Sequence, residues 1–475
     1  METIQTQIVV VGGGPGGYAA AFYAADRGKQ VILVEMDQRL GGVCLNRGCI
    51  PSKAYLQATK MIEEARESER RGVVFAPPQV HLEKLRAWKE AILARLAQGI
   101  LALAQRRNVQ VLWGRGYFED ARTLRVETNE GQKFVKFEQA IIAVGSKAAV
   151  PKVFDLGNPR IMTSTEALEM PEVPGDLLII GGGYNGMELG TVYSLLGSQV
   201  VLVEALDTVL GGADKDLIRP VVKAAEKKFK EIRTKSKVLD MATAGKKIKA
   251  VIQTGGETRE ELYDRVLVAV GRVPNGENLG LENTRVQRDE RGYIKVNEHQ
   301  QTDEPGIYAI GDIAGGILLA HKASKEARVA VDVILGEPSA FENIIIPAVV
   351  FTDPELAWCG LTEAEAQAKD IKIEVSKFPW SASGRAMTFD RPEGMTKLVI
   401  EPETERILGV GIVGHGAGEL IAEGVVAVEM GATVRDLAEC VHPHPTLSET
   451  IMECAELFYG HATHAYARRR AAEAH

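Results

Sequence analysis

Two distant parts of the chain repeat the same pattern. Residues 7–35, QIVVVGGGPGGYAAAFYAADRGKQVILVE, and residues 176–204, DLLIIGGGYNGMELGTVYSLLGSQVVLVE, follow one order. Each has an apolar run, a glycine turn, a stretch of small residues and a second apolar run that ends in glutamate. In both segments the glutamate follows the first glycine of the turn by 23 residues. The repeat predicts two βαβ units of the nucleotide-binding kind, each built on a parallel sheet.

The glycines of both turns have the Gly-x-Gly-x-x-Gly spacing: Gly12, Gly14 and Gly17 in the first unit, and Gly181, Gly183 and Gly186 in the second. In such a turn the first glycine allows the tight bend, the second admits a pyrophosphate, and the third lets helix and strand pack closely. Glu35 and Glu204 would accept hydrogen bonds from ribose hydroxyls and would repel a 2′-phosphate. Ordinary glycine turns in parallel sheets are the alternative interpretation.

The stretch GGVCLNRGCIPSK, residues 41–53, has two cysteines five residues apart where the sequence begins to look helical. A regular helix would separate their Cα atoms by roughly 8 to 9 Å, and a disulfide tolerates about 7 Å. A bond between Cys44 and Cys49 therefore requires a bent backbone, for which Gly48 and Pro51 are suitably placed. Because so short a loop constrains the unfolded chain little, reactivity is a better reason for the pair than stability.

Five cysteines in 475 residues do not form the disulfide framework of a small secreted protein. Cys359, Cys440 and Cys454 stand singly among apolar residues and are expected to be small buried hydrophobic side chains. We therefore expect a reducing, cytoplasmic compartment, where a disulfide is usually catalytic.

The charge balance argues against several classes of partner. The chain has 56 basic and 64 acidic residues and a net charge of −8, which gives no indication of nucleic-acid or membrane binding. The N-terminus METIQTQIVVVGGG lacks the basic start of a signal peptide and is expected to form a strand. No uninterrupted apolar stretch is as long as a membrane span.

The remaining segments indicate an α/β fold with a different type of domain at the end. YDRVLVAVGRVPN is interpreted as a strand and turn, and GYIKVNEHQQTDEPGIYAIGD as strands that end at Asp312. From Pro347 the alternating run KLVIEPETERILGVGIVG predicts an antiparallel hairpin, with helices near 415–430 and 448–459. The last residues, YARRRAAEAH, are predicted to be a solvated tail.

These motifs in this order resemble the flavin-dependent disulfide oxidoreductases over almost the whole chain, most closely the branch that oxidises dihydrolipoyl groups. The resemblance rests on GGVCLNRGCIPSK, the two glycine turns, VGRVPN, YAIGDIAGG with LAHKA, FPWSASGRA and HPHPTLSE. It implies two Rossmann-like nucleotide-binding domains, a central domain and a C-terminal α+β dimerisation domain. The expected bounds are 1–147 for FAD, 148–274 for NAD, 275–345 for the central domain, which returns to FAD, and 346–475 for the dimer interface.

The resemblance also implies two cofactors. The first glycine turn and Glu35 would hold the adenosine part of FAD, and Asp312 would contact its ribitol. The second glycine turn and Glu204 would hold NAD, and Gly271 of VGRVPN counts among the cofactor-binding positions. Lys53 and Glu188 match the ion pair that the family places beside the flavin ring.

For the chemistry, the resemblance implies that Cys49 is the thiol next to the flavin and Cys44 the thiol that exchanges with substrate. His444 in HPHPTLSE would be the base, oriented by Glu449, and would act on the cysteines of the other subunit of a homodimer. A base near neutrality suits this role, because thiolates attack disulfides and thiols hardly do. A cis bond is expected before Pro445, and His321 and His442 are interpreted as structural.

Two departures from the family pattern matter. Relatives often have ATGS where residues 143–146 are AVGS, and a smaller aliphatic residue where Arg47 lies between the cysteines. Arg47 is expected to be solvated or bound to a nearby acid. A positive charge beside either cysteine could nevertheless lower a thiol pKa, which is a hypothesis for Arg47.

Three other functions compete with dihydrolipoyl oxidation. Glutathione-type reductases use NADPH and usually carry basic residues after the second unit, where this chain has Glu204 and ALDTVLGG. Mercuric reductases add a C-terminal cysteine pair, and here Cys454 stands alone. A non-catalytic nucleotide-binding sensor would leave the cysteines and the His444–Glu449 dyad without a shared purpose. The expected partner is a lipoyl-bearing carrier of a 2-oxo acid dehydrogenase complex, of glycine cleavage, or a stand-alone carrier.

Overall fold

The computed structural model describes residues 2–342 and 344–466. Within these ranges the α-helices are α1 (Pro15–Asp26), α2 (Gly42–Arg47), α3 (Cys49–Glu67), α4 (Leu82–Arg106), α5 (Ser164–Glu169), α6 (Tyr184–Leu196), α7 (Lys215–Glu226), α8 (Ala320–Ile334), α9 (Glu363–Ala368), α10 (Gly384–Thr388), α11 (Ala417–Glu429), α12 (Val434–Glu439) and α13 (Glu449–Tyr459).

The strands of the described residues are β1 (Glu2–Val11), β2 (Val31–Glu35), β3 (Gln110–Trp113), β4 (Arg115–Asp120), β5 (Thr123–Thr128), β6 (Gly131–Ile142), β7 (Ser146–Ala148), β8 (Ile161–Met162), β9 (Asp176–Ile180), β10 (Gln199–Val203), β11 (Glu231–Arg233), β12 (Ser236–Ala244), β13 (Lys247–Thr254), β14 (Glu257–Tyr263), β15 (Arg265–Val268), β16 (Arg272–Pro274), β17 (Ile307–Ala309), β18 (Ala348–Val350), β19 (Glu355–Gly360), β20 (Glu374–Pro379), β21 (Met395–Ile400) and β22 (Ile407–Gly414).

The first repeat forms a doubly wound sheet with strand order β3-β2-β1-β6-β5-β4. β1 lies parallel to β2 and β6, with Val9 opposite Ile32 on one side and Ala140 on the other. β17 comes from far along the chain and pairs in parallel with β6. The strand order reverses between β1 and β6, and such a reversal opens a crevice at the carboxyl ends of the strands, where nucleotides bind.

The second repeat forms a parallel sheet of its own, with order β11-β10-β9-β15-β8. It has the same central arrangement, because β9 pairs in parallel with β10 and β15. An antiparallel sheet β12-β13-β14 packs against it, and the short strands β7 and β16 pair between the two nucleotide units. The central strands β1, β2, β9 and β10 are largely buried, as strands covered by helices on both faces should be.

The C-terminal part forms an antiparallel sheet, β18-β19-β22-β21-β20, with α11 and α13 packed against it. The expected hairpin is β21 and β22, and the two expected helices are α11 and α13. The buried Lys397 on β21 joins this sheet to the second nucleotide unit, since its Nζ lies 2.7 Å from Asp214 and 3.0 Å from Asp216. The α/β fold class inferred from the sequence is confirmed.

Two expectations about local structure are wrong. Residues 292–300 do not form a strand and take part only in isolated bridges, such as Arg288 with Ile294. The physical reason is Asn297, whose Oδ1 accepts the N–H groups of His299 and Gln301 and so holds a turn instead of a ladder. Asp312 also does not end a strand, because β17 stops at Ala309. It lies in a short 3₁₀ turn, residues 311–314, after β17.

Cys440 is also not the buried side chain that the sequence suggests. It is exposed at the C-terminal end of α12, where the chain leaves the helix for the 440–448 loop, whereas Cys359 and Cys454 are buried. The predicted tail, apart from the exposed Tyr466, lies outside the described residues. Among the described residues, no helix is long and apolar enough to cross a membrane.

Candidate active site

The turn after β1 has the geometry of a dinucleotide site. Gly12 has a φ of 106°, and a Cβ there would lie 2.4 Å from the carbonyl oxygen of Ala143. A Cβ on Gly17 would lie 1.7 Å from Gly12 O, so only glycine lets α1 pack this closely on the turn. At Gly14 a Cβ would meet nothing closer than Gly42 Cα, 3.8 Å away. The N-terminus of α1 is thus open to a phosphate.

The turn after β9 repeats this geometry. Gly181 has a φ of 107°, and a Cβ there would lie 2.4 Å from Ala269 O. A Cβ on Gly186 would lie 1.9 Å from Gly181 O, while a Cβ on Gly183 would meet no heavy atom within 4 Å. Each glycine therefore has the constraint expected at its place in the motif.

Each unit ends in a glutamate whose carboxylate accepts a backbone N–H of the glycine turn in the same unit. Glu35 Oε2 accepts the N–H of Gly13 at 2.7 Å, and Glu204 Oε2 accepts the N–H of Gly182 at 2.7 Å. Burial raises the pKa of Glu35, and backbone hydrogen bonds from Asp37 and Gly13 oppose the rise. An open phosphate position beside a carboxylate acceptor fits a dinucleotide in each unit, so the residues present fit FAD and NAD.

The segment GGVCLNRGCIPSK, residues 41–53, does not form one continuous helix, as the spacing of its two cysteines required. Cys44 lies on α2 and Cys49 is the first residue of α3, and the two helices meet at Gly48, with φ −145° and ψ −108°. A Cβ on Gly48 would lie 3.0 Å from Val43 O. The expected bend is confirmed at Gly48, whereas Pro51 lies inside the first turn of α3, where its missing N–H is not needed. Both cysteines are free thiols, with Cys49 exposed and Cys44 half-buried.

The two thiols differ sharply in acidity. A hydrogen bond from Cys44 lowers the pKa of Cys49 to about 7, burial opposes this, and the charge of Lys53 supports it. The same hydrogen bond, together with burial, raises the pKa of Cys44. Because the thiolate is the reactive form, the pair holds its first negative charge on Cys49 near neutral pH.

Lys53 and Glu188 form the expected ion pair. Lys53 Nζ lies 2.8 Å from Glu188 Oε2 and 4.6 Å from the centre of the Phe351 ring. Glu188 is buried, and it also accepts hydrogen bonds from Ser52 Oγ at 2.8 Å and from the N–H of Phe351 at 3.0 Å. Neither Ser52 nor Phe351 was expected at this site from the sequence, although Ser52 is adjacent to Lys53 in the motif.

Asp312 is held by two residues that the sequence analysis also missed. Ser146 Oγ donates to its carboxylate, and Arg272 Nε lies 3.6 Å from Oδ2. Arg272 also donates to Ser146 Oγ at 2.6 Å, so β7, β16 and the 3₁₀ turn meet at one point. Gly271, next to Arg272, has a φ of 134° and accepts the N–H of Ala149 through its carbonyl. The motifs AVGS and VGRVPN therefore converge on Asp312.

His444 and Glu449 form a dyad at the start of α13. His444 Nδ1 lies 2.8 Å from Glu449 Oε1, and Glu449 Oε2 accepts the N–H of Thr446 at 2.7 Å. Burial alone would raise the pKa of Glu449, but the hydrogen bonds from Thr446 and His444 outweigh it and lower that pKa. The side chain of His444 is 71% exposed, which leaves its other ring nitrogen free for a partner from outside. The bond before Pro445 is cis, as expected.

The other histidines around the dyad have partners of their own. His442 contacts Glu423 at 2.7 Å through Nε2 and the carbonyl oxygen of Cys440 through Nδ1, which agrees with a structural role. A further pair, His464 Nδ1 and Glu453 Oε1 at 2.5 Å, lies one turn along α13 from Glu449. This pair was not expected from the sequence, although Glu449 and Glu453 have the spacing of one helical face.

Arg47 is bound to a local acid, as expected. Its guanidinium pairs with Asp37, which lies two residues after Glu35 and donates its N–H to the Glu35 carboxylate. The cation whose charge lowers the pKa of Cys49 is Lys53. The alternative role of Arg47, as an activator of a thiol, therefore loses its main support.

Comparison with known proteins gives a consistent result over both parts of the chain. Residues 6–327 match the family described as pyridine nucleotide-disulphide oxidoreductase, and residues 346–455 match its dimerisation domain. The chain is 45% identical over 464 residues to a dihydrolipoyl dehydrogenase of Haemophilus influenzae, with 97% of each chain covered. It is also 45% identical over 470 residues to the dihydrolipoyl dehydrogenase of Vibrio parahaemolyticus, again with 97% of each covered.

Solved structures agree with this result. The chain superposes on LpdA of Mycobacterium tuberculosis with a TM-score of 0.89 at 27% identity, covering 95% of this chain and 99% of that one. It superposes on the HOCl-induced flavoprotein disulfide reductase RclA of Escherichia coli with a TM-score of 0.85 at 25% identity and the same coverage.

Proposed function

This chain belongs to the pyridine nucleotide-disulphide oxidoreductases, among their dihydrolipoyl dehydrogenases, and we propose that Cys44, Cys49, His444 and Glu449 carry out its reaction. The enzyme oxidises dihydrolipoyl groups to lipoyl groups and reduces NAD with FAD as its flavin. The observation that supports the residue assignment best is the pair of unequal thiols at the break between α2 and α3.

The reaction begins with the oxidised pair, in which Cys44 and Cys49 share a disulfide. His444 takes the proton of one substrate thiol, and the thiolate attacks the sulfur of Cys44. The Cys44–Cys49 bond breaks, and Cys49 leaves as a thiolate, which the charge of Lys53 stabilises. The second substrate thiol then attacks the substrate sulfur bound to Cys44, and the cyclic lipoyl disulfide forms. Cys44 leaves with the proton that His444 holds, and His444 takes up the proton of the second substrate thiol in its place, so the reduced pair carries one proton on Cys44 and a negative charge on Cys49.

The first glycine turn, Glu35 and Asp312 would hold FAD, which would supply the transfer of two electrons from the dithiol pair to NAD. The chain's own residues bind and orient the two nucleotides and set the charge around the thiols. Glu188 fixes Lys53 near Cys49, and Glu449 fixes the tautomer and orientation of His444. Glu204 binds ribose hydroxyls and excludes a 2′-phosphate, so the nucleotide acceptor is NAD.

We propose that the enzyme is a homodimer in which His444 serves the cysteines of the partner subunit. The dyad lies within the matched dimerisation domain, and the imidazole of His444 is exposed. Within residues 2–342 and 344–466, no hydrogen bond links His444 to Cys44 or Cys49 of the same chain. These observations favour a site that two chains complete together.

We also propose the division 1–147 for FAD, 148–274 for NAD, 275–345 for the central domain and 346–475 for the interface. The separate sheets support these bounds, and β17 returns the chain from the central domain to the first sheet.

The substrate is a lipoyl group on a carrier protein, either of a 2-oxo acid dehydrogenase complex, of glycine cleavage or a stand-alone one. A reducing cytoplasm suits an enzyme that cycles between a disulfide and two thiols.

Steady-state kinetics test the proposed residues and substrate. The enzyme should form NADH from dihydrolipoamide and NAD in a ping-pong pattern, with far less turnover of NADP and none of glutathione disulfide with NADPH. C44S and C49S should abolish turnover, while C440S, which alters the exposed cysteine outside the pair, should retain it. An FAD-containing protein that turns over no dithiol would contradict the assignment and favour a nucleotide-binding sensor.

A further inference from the structure

We propose that Lys322 and Glu326 are positioning residues of the FAD site, because their buried ion pair holds both ends of the turn that carries Asp312. The pair lies on α8, one helical turn apart. Lys322 Nζ is 2.6 Å from Glu326 Oε1, and the two side chains are 6% and 4% exposed. The steps of the reaction given above do not use either residue.

The two side chains hold the turn through its backbone. Glu326 Oε2 accepts the N–H of Gly311 at 2.7 Å, and Gly311 is the residue before Asp312. Lys322 Nζ donates to the carbonyl oxygen of Gly315 at 2.9 Å, at the other end of the turn. One ion pair thus fixes a donor before Asp312 and an acceptor after it.

The charges of Lys322, Glu326 and Asp312 influence one another. Burial raises the pKa of Glu326, Lys322 lowers it, and the nearby carboxylate of Asp312 raises it again. Lys322 therefore compensates the buried charge of Glu326 in a place that also contains the carboxylate of Asp312, whose own cation is Arg272. Removal of Lys322 alone would favour protonation of Glu326.

Stability is a weak explanation for such a pair. Desolvation of two buried charges offsets much of their attraction, and apolar side chains of similar volume often serve as well. The hydrogen bonds that Lys322 and Glu326 form with the backbone of this turn fix its path, and apolar side chains could not form them. We therefore assign the pair to geometry and not to folding energy.

Asp312 is restrained from its other side by different elements. Ser146 donates to its carboxylate, and Arg272 donates to Ser146 Oγ at 2.6 Å. α8 also packs on α1, since a Cβ on Gly16 would lie 3.2 Å from Ala323 Cβ. The ion pair thus ties the turn of Asp312 to α8, and α8 packs on α1, the helix that begins at the first glycine turn.

FAD release from the holoenzyme tests this role. In K322M/E326Q the side-chain lengths and an acceptor for Gly311 N–H are kept, but the charges and the donor to Gly315 O are lost. We expect the FAD dissociation constant, followed by the fluorescence of released FAD on dilution, to rise at least tenfold, or about 1.4 kcal/mol. K325M, which alters an exposed lysine of the same helix, should leave FAD binding unchanged.

A double-mutant cycle with D312N separates positioning from general loosening. If the pair acts through Asp312, K322M/E326Q should add less than threefold to the loss that D312N already causes. Full additivity, or unchanged FAD binding in K322M/E326Q, would overturn the proposal. E326Q alone provides the same comparison where the double variant fails to fold. On heating, the fluorescence of released FAD should rise in these variants before circular dichroism shows loss of helix. Release of FAD at the same temperature as the loss of helix would indicate a structural role only. The readout is FAD binding, so it is independent of whether dihydrolipoamide is the substrate.

Discussion

Lys53 Nζ lies 2.8 Å from Glu188 Oε2, although Lys53 is on α3 of the first nucleotide unit and Glu188 is on α6 of the second. The carboxylate is buried and receives further hydrogen bonds from Ser52 and Phe351. Lys53 also stands one turn along α3 from Cys49 and lowers its pKa. This contact between the two nucleotide units therefore also adjusts the charge of the Cys44–Cys49 pair.

The two members of this ion pair should act on Cys49 in opposite directions. Lys53 lowers the pKa of Cys49 and Glu188 raises it, so K53M should raise this pKa by about one pH unit and E188Q should lower it. The titration can be followed in C44S holoenzyme through the long-wavelength absorption of the Cys49 thiolate against oxidised FAD. R47V is the matched control, because Arg47 is paired with Asp37, and it should leave the midpoint in place. Shifts in the same direction for K53M and E188Q would contradict this account.

The third glycine of each turn should control one nucleotide and not the other. A Cβ would lie 1.7 Å from Gly12 O in G17A and 1.9 Å from Gly181 O in G186A, which should cost about 1–3 kcal/mol at each turn. G186A should retain FAD and lose affinity for NAD, measured by fluorescence titration with NADH. G17A should lose FAD. G145A changes a glycine with open space around it but a φ of 69°, so it serves as a control for backbone strain without a steric clash. Equal loss of both nucleotides in G186A would disagree with two separate sites.

Glu204 should decide between NAD and NADP. Its carboxylate accepts the N–H groups of Gly182 and Leu206, which fixes a negative charge beside the second glycine turn, and this charge would repel a 2′-phosphate. E204Q should therefore weaken the preference for NAD over NADP by roughly tenfold in kcat/KM, chiefly because NADP is no longer repelled. E35Q provides the control, since it alters the equivalent residue of the other unit and should affect FAD retention. An unchanged NAD preference in E204Q would show that another residue excludes the phosphate.

Glu449 should contribute to the rate through His444 alone. H444Q should lower kcat/KM for dihydrolipoamide by about 10²- to 10⁴-fold, and E449Q should lower it by less because the imidazole remains. The effects should not add in the double variant, since Glu449 orients His444 at 2.8 Å. E453Q alters the neighbouring His464 pair on the same helix and should have a much smaller effect. Additive losses in H444Q/E449Q would indicate that Glu449 has a separate role.

Most features that could be predicted from the residues alone depend on neighbours in the chain, whereas the ion pair of Lys53 and Glu188, which are 135 residues apart, was implied by the family resemblance. The strand, glycine turn and helix around Gly12 and Gly181 are local, so their pattern specified both nucleotide units. The bend between Cys44 and Cys49 followed from spacing alone, and the structure places it at Gly48. The His444–Glu449 dyad was implied by the resemblance of HPHPTLSE to the family motif, in which the two residues are only five positions apart.

The features that were missed depend on contacts between distant segments or on a side chain that competes with the backbone. Asn297 replaced an expected strand with a turn, because its side chain accepts two backbone N–H groups. The partners of Asp312 and Glu188 come from residues as distant in sequence as Ser146 and Phe351. Cys440 lies at a helix end and not within an apolar face, which its apolar neighbours in sequence did not reveal.

The activity of a dimer with one defect in each chain tests directly whether His444 of one subunit serves the cysteines of the other. C44S and H444Q subunits with different tags would be co-expressed and the mixed dimer purified through both tags. One of its two sites then combines an intact cysteine pair from one chain with an intact His444 from the other. Because the dimer is symmetric, we expect about half of the wild-type rate of NADH formation from dihydrolipoamide. A mixed dimer as inactive as the two parent variants would contradict a site shared between subunits.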